Sequence, residues 1–540
     1  MESHRAADAL VETLIANGLD TVYGLPGVHN DPLFDAFWQN RNRLRFLHAR
    51  HEQGGAYMAL GAALATGKPQ AFAVVPGPGL LNAGAALLTA YGMNAPVLAL
   101  VGQIPADTID RGLGQLHEIP DQVGLARHIT KFAARIDAPH EAAPLAATAL
   151  SAALSGRQRP VMLECAMDVW GKRTPVAPPE MAEPLRPPID PDTVEKLAKI
   201  LGGAKKPMIV VGGGALDASA EVTALAELLE APVYAYRRGQ GVVDGRHRLY
   251  VSMPIGHRLW KDADVVIGIG TRLLIGQNEW GLDKDLKILR IDIDPTEPNR
   301  FARADAALIA DAAEGVRALL ERLPKHMGKR EKRDEELAGH RAWFAQKIGA
   351  LEPQLSFVRA IRNALPDDGI YVDEGTQIGF AARLAFPTYA PRTFLSPGYQ
   401  DNLGWGYGTA LGAQAAMPGR AVVSIAGDGG FMYQVQELAT AVQHNLPVVV
   451  VVFDNASFGN VKLLQKERFD SHFIACDLRN PDFCALAESF GAAAFRARDA
   501  AELESALKKA FALRKPALVH VPCGEMPSPW PMLHMGRARP

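Results

Sequence analysis

Two short polar stretches, Gly427-Asp428-Gly429-Gly430 and Asp454-Asn455-Ala456-Ser457-Phe458-Gly459, each follow an apolar run. A carboxylate, an amide oxygen and a backbone carbonyl are ligand types for a hard cation such as Mg²⁺. Backbone N–H groups at a helix start attract a diphosphate. The elements that must position these groups are legible around them. Ala421–Ala426 reads as a buried strand, and Pro447–Phe453 as a second. Between them Phe431, Val435, Leu438, Ala439 and Val442 fall at helical spacing. The pattern is a βαβ unit with ligand types at both strand exits. A glycine turn alone also suits an ordinary crossover; the pairing of an Asp at one exit with an Asn at the next sets this stretch apart.

Other candidates for chemistry lie near the N-terminus. Glu52 follows the strand Arg45–Ala49 at the head of a small-residue helix, where a carboxylate is also a routine first-turn residue. His29 follows the strand Thr21–Leu25, a position where α/β ligands collect, although a lone loop histidine is commonly a surface residue. His117 lies in Gln115-Leu116-His117-Glu118. Either histidine suits proton transfer near neutral pH, and His51 reads as a packing residue.

The chain has 540 residues, enough for about three domains. Its net charge of −2 gives no electrostatic reason to expect nucleic acid or an anionic membrane. Cys165, Cys476, Cys484 and Cys523 have no metal-ligand spacing and read as thiols in a reducing compartment. The N-terminal segment is an amphipathic helix rather than a signal peptide, and no run approaches ~18 apolar residues. The expectation is a soluble, cytoplasmic protein.

Strand and helix patterns alternate along the whole chain. In residues 1–175, strands are expected at 21–25, 44–48, 71–75, 97–101 and 161–164. A proline-rich break over 175–191 reads as a linker. In 190–325, strands are expected at 208–211, 232–235, 265–269 and 288–293, the first ending in Gly212-Gly213-Gly214. Pro324–Glu336 reads as a solvated helix or second linker. In 352–540, strands are expected at 370–372, 421–426, 448–453 and 517–521. The predicted fold class is α/β, with three doubly wound parallel-sheet domains.

The Gly427–Gly459 frame resembles the thiamine diphosphate (ThDP) motif of ThDP-dependent enzymes, which usually have Asn-Asn where this chain has Asp454-Asn455. RHEQGGAYMALGAALATG, with PGPGLLN at Pro76–Asn82, resembles the pyrimidine-binding domain of the acetohydroxyacid synthase, pyruvate oxidase and 2-oxo acid decarboxylase superfamily. Gly398–Gly419 matches the family as well. The resemblance implies Mg²⁺ held by Asp428, Asn455 and the Ser457 carbonyl. It implies cofactor contacts from Pro78, Asn82, Glu374, Thr376, Gln377, Gly427, Gly429, Gly430, Phe458 and Gly459. Glu52 would hydrogen-bond the aminopyrimidine ring, the Asp401 carbonyl would accept from its amino group, and Leu403 would wedge between the cofactor's two rings.

The resemblance also implies a 2-oxo acid or related carbonyl substrate. Its pocket would include His29, His117, Gln400, Asn460, Leu463, Leu464 and Glu467. Sites would be shared between subunits of a homodimer or homotetramer. The favoured activity is carboligation resembling acetolactate synthase. The alternative is a non-oxidative decarboxylase or C–C lyase, supported by the two histidines. A third is a flavin-dependent oxidoreductase resembling pyruvate oxidase. The glycine cluster resembles a central domain that in some members holds FAD or an ADP moiety, with Arg237, Arg238 and Arg272 as diphosphate candidates. Ser252–His257 departs from the flavin-containing pattern, so the expected role of this domain is scaffold.

Overall fold

The computed structural model describes residues 3–175 and 179–540; positions 176–178 of the proline-rich break lie outside the described residues. Three six-stranded sheets follow one another along the chain, each parallel throughout its described pairings.

The first unit contains β1 (Ser3–Arg5), β2 (Thr21–Gly24), β3 (Arg45–His48), β4 (Gln70–Val74), β5 (Val97–Gln103), β6 (Phe132–Ile136), β7 (Val161–Ala166) and β8 (Arg173–Pro175). Its sheet runs β3-β2-β4-β5-β7-β6, while β1 and β8 form a separate antiparallel ribbon. The second contains β9 (Pro207–Val211), β10 (Val233–Ala235), β11 (Tyr250–Val251), β12 (Val265–Ile269), β13 (Lys287–Asp292) and β14 (Ala306–Ile309). These run β11-β10-β9-β12-β13-β14. The third contains β15 (Ile370–Val372), β16 (Phe394–Leu395), β17 (Val422–Gly427), β18 (Val449–Asp454), β19 (Ala493–Arg496) and β20 (Ala517–Pro522), in the order β16-β15-β17-β18-β20-β19. The first and third sheets therefore share one topology, and the central sheet has another.

Covering both faces of a parallel sheet buries its middle strands completely, hence their valine-rich runs. Val449–Val452 are fully buried in β18. Besides the β1–β8 ribbon, the strands not anticipated in the sequence, β6, β11, β14, β16 and β19, all lie at a sheet edge, where patterns weaken. The burial of β19 is intermediate to exposed, and β6 carries Arg135, paired with the buried Glu164 of β7.

Two helices join the first and third units. Glu52–Thr66 packs on Gly406–Ala416, both buried along nearly their whole length. Burial all round removes the one-sided apolar stripe of a surface helix. Backbones meet directly: Gly61 lies against the Thr409 carbonyl and Gly412 against that of Met58, so a Cβ at either glycine would collide with main chain.

The segment after β17 differs from the single helix expected. It forms Asp428–Phe431 and Glu437–Gln443, joined by turns. Tyr433 and Gln434 donate to carbonyls only three residues back, Gly430 and Phe431. Adjacent glycines at 429 and 430 are poor helix formers, which favours the break. The Pro324–Glu336 stretch ends in a helix over Asp334–Ile348. Among the described residues, no helix is long and apolar enough to cross a membrane.

Candidate active site

A cavity of about 300 Å³ opens at the C-terminal ends of β15, β17 and β18. Its walls include every expected third-domain cofactor residue: Glu374, Thr376, Gln377, Asp401, Leu403, Gly427–Gly430, Asn455 and Ser457–Gly459. In a doubly wound sheet this is where ligands bind, because strand order reverses between β15 and β17. The helices Gln377–Ala385 and Gly459–Arg468 both begin in the cavity wall. Their first-turn N–H groups suit a diphosphate. Thr376 caps the first helix by accepting from Gly379 N–H at 2.9 Å.

The expected metal ligands converge. Asp428 Oδ2 accepts from Ser457 N–H at 3.1 Å and from Asn480 Nδ2 at 2.7 Å. Ser457 Oγ lies 3.1 Å from Asn455 Oδ1. Asp454 lies behind these groups and accepts from Asn480 Nδ2 at 2.8 Å, Ala456 N–H at 3.0 Å and His520 Nε2 at 2.9 Å. Burial and the neighbouring Asp454 charge push the Asp428 carboxyl up. Burial also pushes Asp454 up, but its hydrogen bonds from His520, Ala456 and Asn480 outweigh that and hold it below the usual range.

Among the described residues no three His, Cys, Asp or Glu side chains gather as a metal site. One carboxylate, an amide and a carbonyl instead fit a cation that completes its shell with phosphate oxygens, as Mg²⁺ does. Together with the two helix starts, this donor set fits a metal–diphosphate.

Glu374 lies deeper in the cleft. It is 1% exposed and accepts from Gly404 N–H at 2.6 Å, beside Leu403. A Cβ on Gly430 would approach its Oε1 to 2.7 Å, so the second glycine of the pair makes room for this carboxyl. Burial pushes Glu374 up to about 8. Asp401, on the same loop, is held by Arg383 at 2.6 and 2.8 Å and by Arg237 at 3.2 Å. Arg383 also binds Asp373 at 2.6 Å.

The first-domain candidates form a separate cluster at the C-terminal ends of β2–β5. Asn82 Nδ2 donates to Glu52 Oε2 at 3.0 Å. The His29 and His117 rings stack with centroids 5.2 Å apart. His29 Nε2 lies 3.0 Å from the Leu116 carbonyl, which assigns the ring proton to Nε2 and leaves Nδ1 as a free acceptor. Burial lowers the His29 pKa. Both Nδ1 atoms are buried without a partner. Pro78 begins the Pro78–Met93 helix, preceded by Gly77, whose Cβ would come within 2.5 Å of the His117 carbonyl oxygen. His51 caps the Glu52 helix by accepting from Gln53 N–H at 3.1 Å.

The structure does not bring the two clusters into one cavity within the chain: none of the residues lining the third-domain cavity belongs to the first unit. The expected substrate residues divide likewise. Asn460 lines that cavity and accepts from Trp530 Nε1 at 3.1 Å, while Leu463 lines an adjoining one. Glu467 is exposed, and Gln400 lies against Gly92 of the first unit.

Sequence reasoning missed Asn480, His520 and Glu437. Asn480 precedes a proline and carried only a turn signal. Glu437 interrupts an apolar helix face, a signal that was available. Its carboxylate accepts from Arg50 N–H and His51 N–H, both at 3.1 Å, and from Thr440 Oγ at 2.5 Å. A third-domain carboxylate thereby holds the turn that presents Glu52.

In the central unit, a cavity of about 420 Å³ adjoins Gly212–Gly214. The arginines expected at a diphosphate are already engaged. Arg237 binds Asp401 and the Gly398 carbonyl, Arg238 donates to the Met93 carbonyl, and Arg272 lies 4.4 Å over the Tyr399 ring.

Three sequence profiles match in succession. They are described as the N-terminal TPP binding domain (residues 4–125), the central domain (194–319) and the C-terminal TPP binding domain (373–521) of thiamine pyrophosphate enzymes. A probable 2-ketoarginine decarboxylase of Pseudomonas aeruginosa is 33% identical, over 94% of this chain and 92% of the relative. A probable acetolactate synthase large subunit of Methanocaldococcus jannaschii is 32% identical, over 96% and 91%. The acetolactate synthase isozyme 2 large subunit of Escherichia coli is 30% identical, over 98% and 97%. With the cavity, its donor set and this end-to-end similarity, the chain belongs to the thiamine pyrophosphate (ThDP) enzymes.

Proposed function

We propose that this enzyme is a ThDP- and Mg²⁺-dependent non-oxidative decarboxylase of a 2-oxo acid. The stacked His29–His117 pair carries the choice of decarboxylation over carboligation. Two stacked imidazoles whose Nδ1 atoms lack a protein partner are groups able to take up a proton and return it where the carboxylate departs. Carboligation remains the second reading, supported by the acetolactate synthases among the relatives.

In this reading Asp428, Asn455 and the Ser457 carbonyl hold Mg²⁺, and the helix starts at Gln377 and Gly459 bind the diphosphate. Leu403 braces the cofactor's rings, with the Asp401 loop fixed by Arg383 and Arg237. Glu52 hydrogen-bonds the aminopyrimidine. His29 and His117 hold and move protons at the substrate. When bound, the thiazolium supplies an electron sink for the carbon that loses CO₂.

The third-domain cavity lacks a first-domain wall, so Glu52 would reach it from a second copy. A homodimer or dimer of dimers with shared sites follows from this reading. The units 1–175, 190–325 and 352–540 would act as pyrimidine-binding, scaffold and diphosphate-binding domains. The struts from Arg237 and Arg238 support the scaffold role.

The test is incubation with ThDP, Mg²⁺ and a panel of 2-oxo acids, among them pyruvate and 2-ketoarginine, with CO₂, aldehyde and acetolactate assayed together. Aldehyde in step with CO₂ is expected. Acetolactate as the main product from pyruvate would overturn decarboxylation in favour of carboligation.

A further inference from the structure

Asp428 offers two carboxylate oxygens, and the structure treats them differently. Oδ2 is occupied by Ser457 N–H and Asn480 Nδ2. Oδ1 is therefore the oxygen left to face a cation.

The amide that makes this distinction is itself fixed. Asn480 Nδ2 has two hydrogens and two carboxylates within reach, at 2.7 Å (Asp428) and 2.8 Å (Asp454). One amide group thus bridges a pair of carboxylates, and each bond restrains the direction of the other. Asp454 cannot swing away, because its second oxygen accepts from His520 Nε2 at 2.9 Å. His520 stands on β20, paired beside β18, and is 6% exposed. Asp454 Oδ1 also accepts from Ala456 N–H at 3.0 Å, turning the chain through a left-handed Ala456 (φ 52°) between Asn455 and Ser457. The relay thus touches the carboxylate and the turn carrying the other two cation-facing groups.

Resting on the metal assignment above, we propose that Asn480, Asp454 and His520 are positioning residues for the cation. They fix the orientation of Asp428 and of the Asn455–Ser457 turn, and so set Mg²⁺ affinity. Asp454, which departs from the family's usual Asn, has a role here: as a carboxylate it accepts from Asn480, Ala456 and His520 together. Outer partners of metal ligands commonly govern affinity in this manner.

The test is Mg²⁺ titration of the full-length protein at saturating ThDP, read by isothermal calorimetry and by tryptophan fluorescence, Trp530 being in the cavity wall. Asn480→Ala and His520→Ala are expected to weaken Mg²⁺ binding about 10–100-fold. Saturating Mg²⁺ should restore most of kcat. His520→Gln, which keeps an N–H donor, should remain within about threefold of the parent by the same criterion. If an alanine variant unfolds by circular dichroism, the near-isosteric Asn480→Asp replaces it, with at least tenfold weakening expected.

Parent-like Mg²⁺ affinity in folded Asn480 and His520 variants would overturn the relay while leaving the metal site intact, provided Asp428→Ala loses Mg²⁺-dependent binding. Parent-like affinity in Asp428→Ala would overturn the metal assignment and the relay together.

Discussion

The first and third domains have the same strand order and use it for different chemistry. In the first, the exits of β2, β3, β4 and β5 carry His29, Glu52, Pro78 with Asn82, and His117. In the third, the exits of β15, β16, β17 and β18 carry Glu374 with Gln377, Asp401 with Leu403, Asp428, and Asn455 with Ser457. Even the helices after the second exits correspond, and these are the two that pack on each other, Glu52–Thr66 on Gly406–Ala416. One domain offers proton-handling groups; the other offers cation and anion ligands. A shared topology determines where functional groups emerge, and the loops determine what they do.

The largest expected effect tests the division itself. Glu52→Gln should lower kcat about 10²–10⁴-fold with an unchanged circular dichroism spectrum and near-normal Mg²⁺ affinity. A loss smaller than tenfold would remove the activating role from the first domain. In the other domain, Asp428→Ala should abolish Mg²⁺-dependent ThDP binding in a fluorescence titration. If both variants lose cofactor binding equally, the assignment of separate tasks is wrong.

A smaller effect distinguishes the domains by pH. The Glu374 pKa is raised to about 8 by burial, so the folded state holds a proton the unfolded state has released. Below the ordinary carboxylate range this group does not discriminate between the two states. Stability then falls as pH rises toward 8 and levels off beyond it, by a total on the order of a few kcal/mol. Glu374→Gln should flatten this segment of a Tm-versus-pH curve, whereas no change in slope would mean that Glu374 is ionised throughout.

Glu437→Ala should cost roughly 1–3 kcal/mol, because Arg50 and His51 N–H lose a buried acceptor. Denaturant unfolding would measure it. A lowered kcat at saturating ThDP would show in addition that a third-domain residue supports Glu52. The smallest effect is expected at the histidines. His29→Ala or His117→Ala should lower aldehyde formation about tenfold, below the usual ~10²–10⁴-fold of a positioned acid or base, and pH–rate profiles of the two variants would show which imidazole governs protonation.

Much of this was legible in the residues. Central strands such as Val449–Asp454 are buried on both faces, so their apolar runs are unmistakable. The unread strands lie toward the sheet margins, where partial exposure dilutes the pattern; β6 carries a charged Arg135 because Glu164 meets it across the sheet. The glycine-punctuated exits marked the residues that line the third-domain cavity, because a close backbone approach at a strand exit constrains residue type locally. Arg237 and Arg238 could not be assigned partners for the opposite reason: an arginine's reach spans domains, and its partner cannot be read from its neighbours.

Asp428, Asn455, Ser457, Glu52 and His29 were candidates from local sequence, since each stands at a strand exit whose position the hydrophobic pattern sets; His117, in the long connection after β5, was a candidate from its residue type. Only the tertiary structure decided that Asn480 bridges Asp428 and Asp454 while His520 holds Asp454, that Glu437 holds the turn before Glu52, and that the first and third sheets are one topology used twice. These are contacts between segments distant along the chain, where the geometry of packed sheets, rather than any spacing in sequence, determines which polar atoms meet.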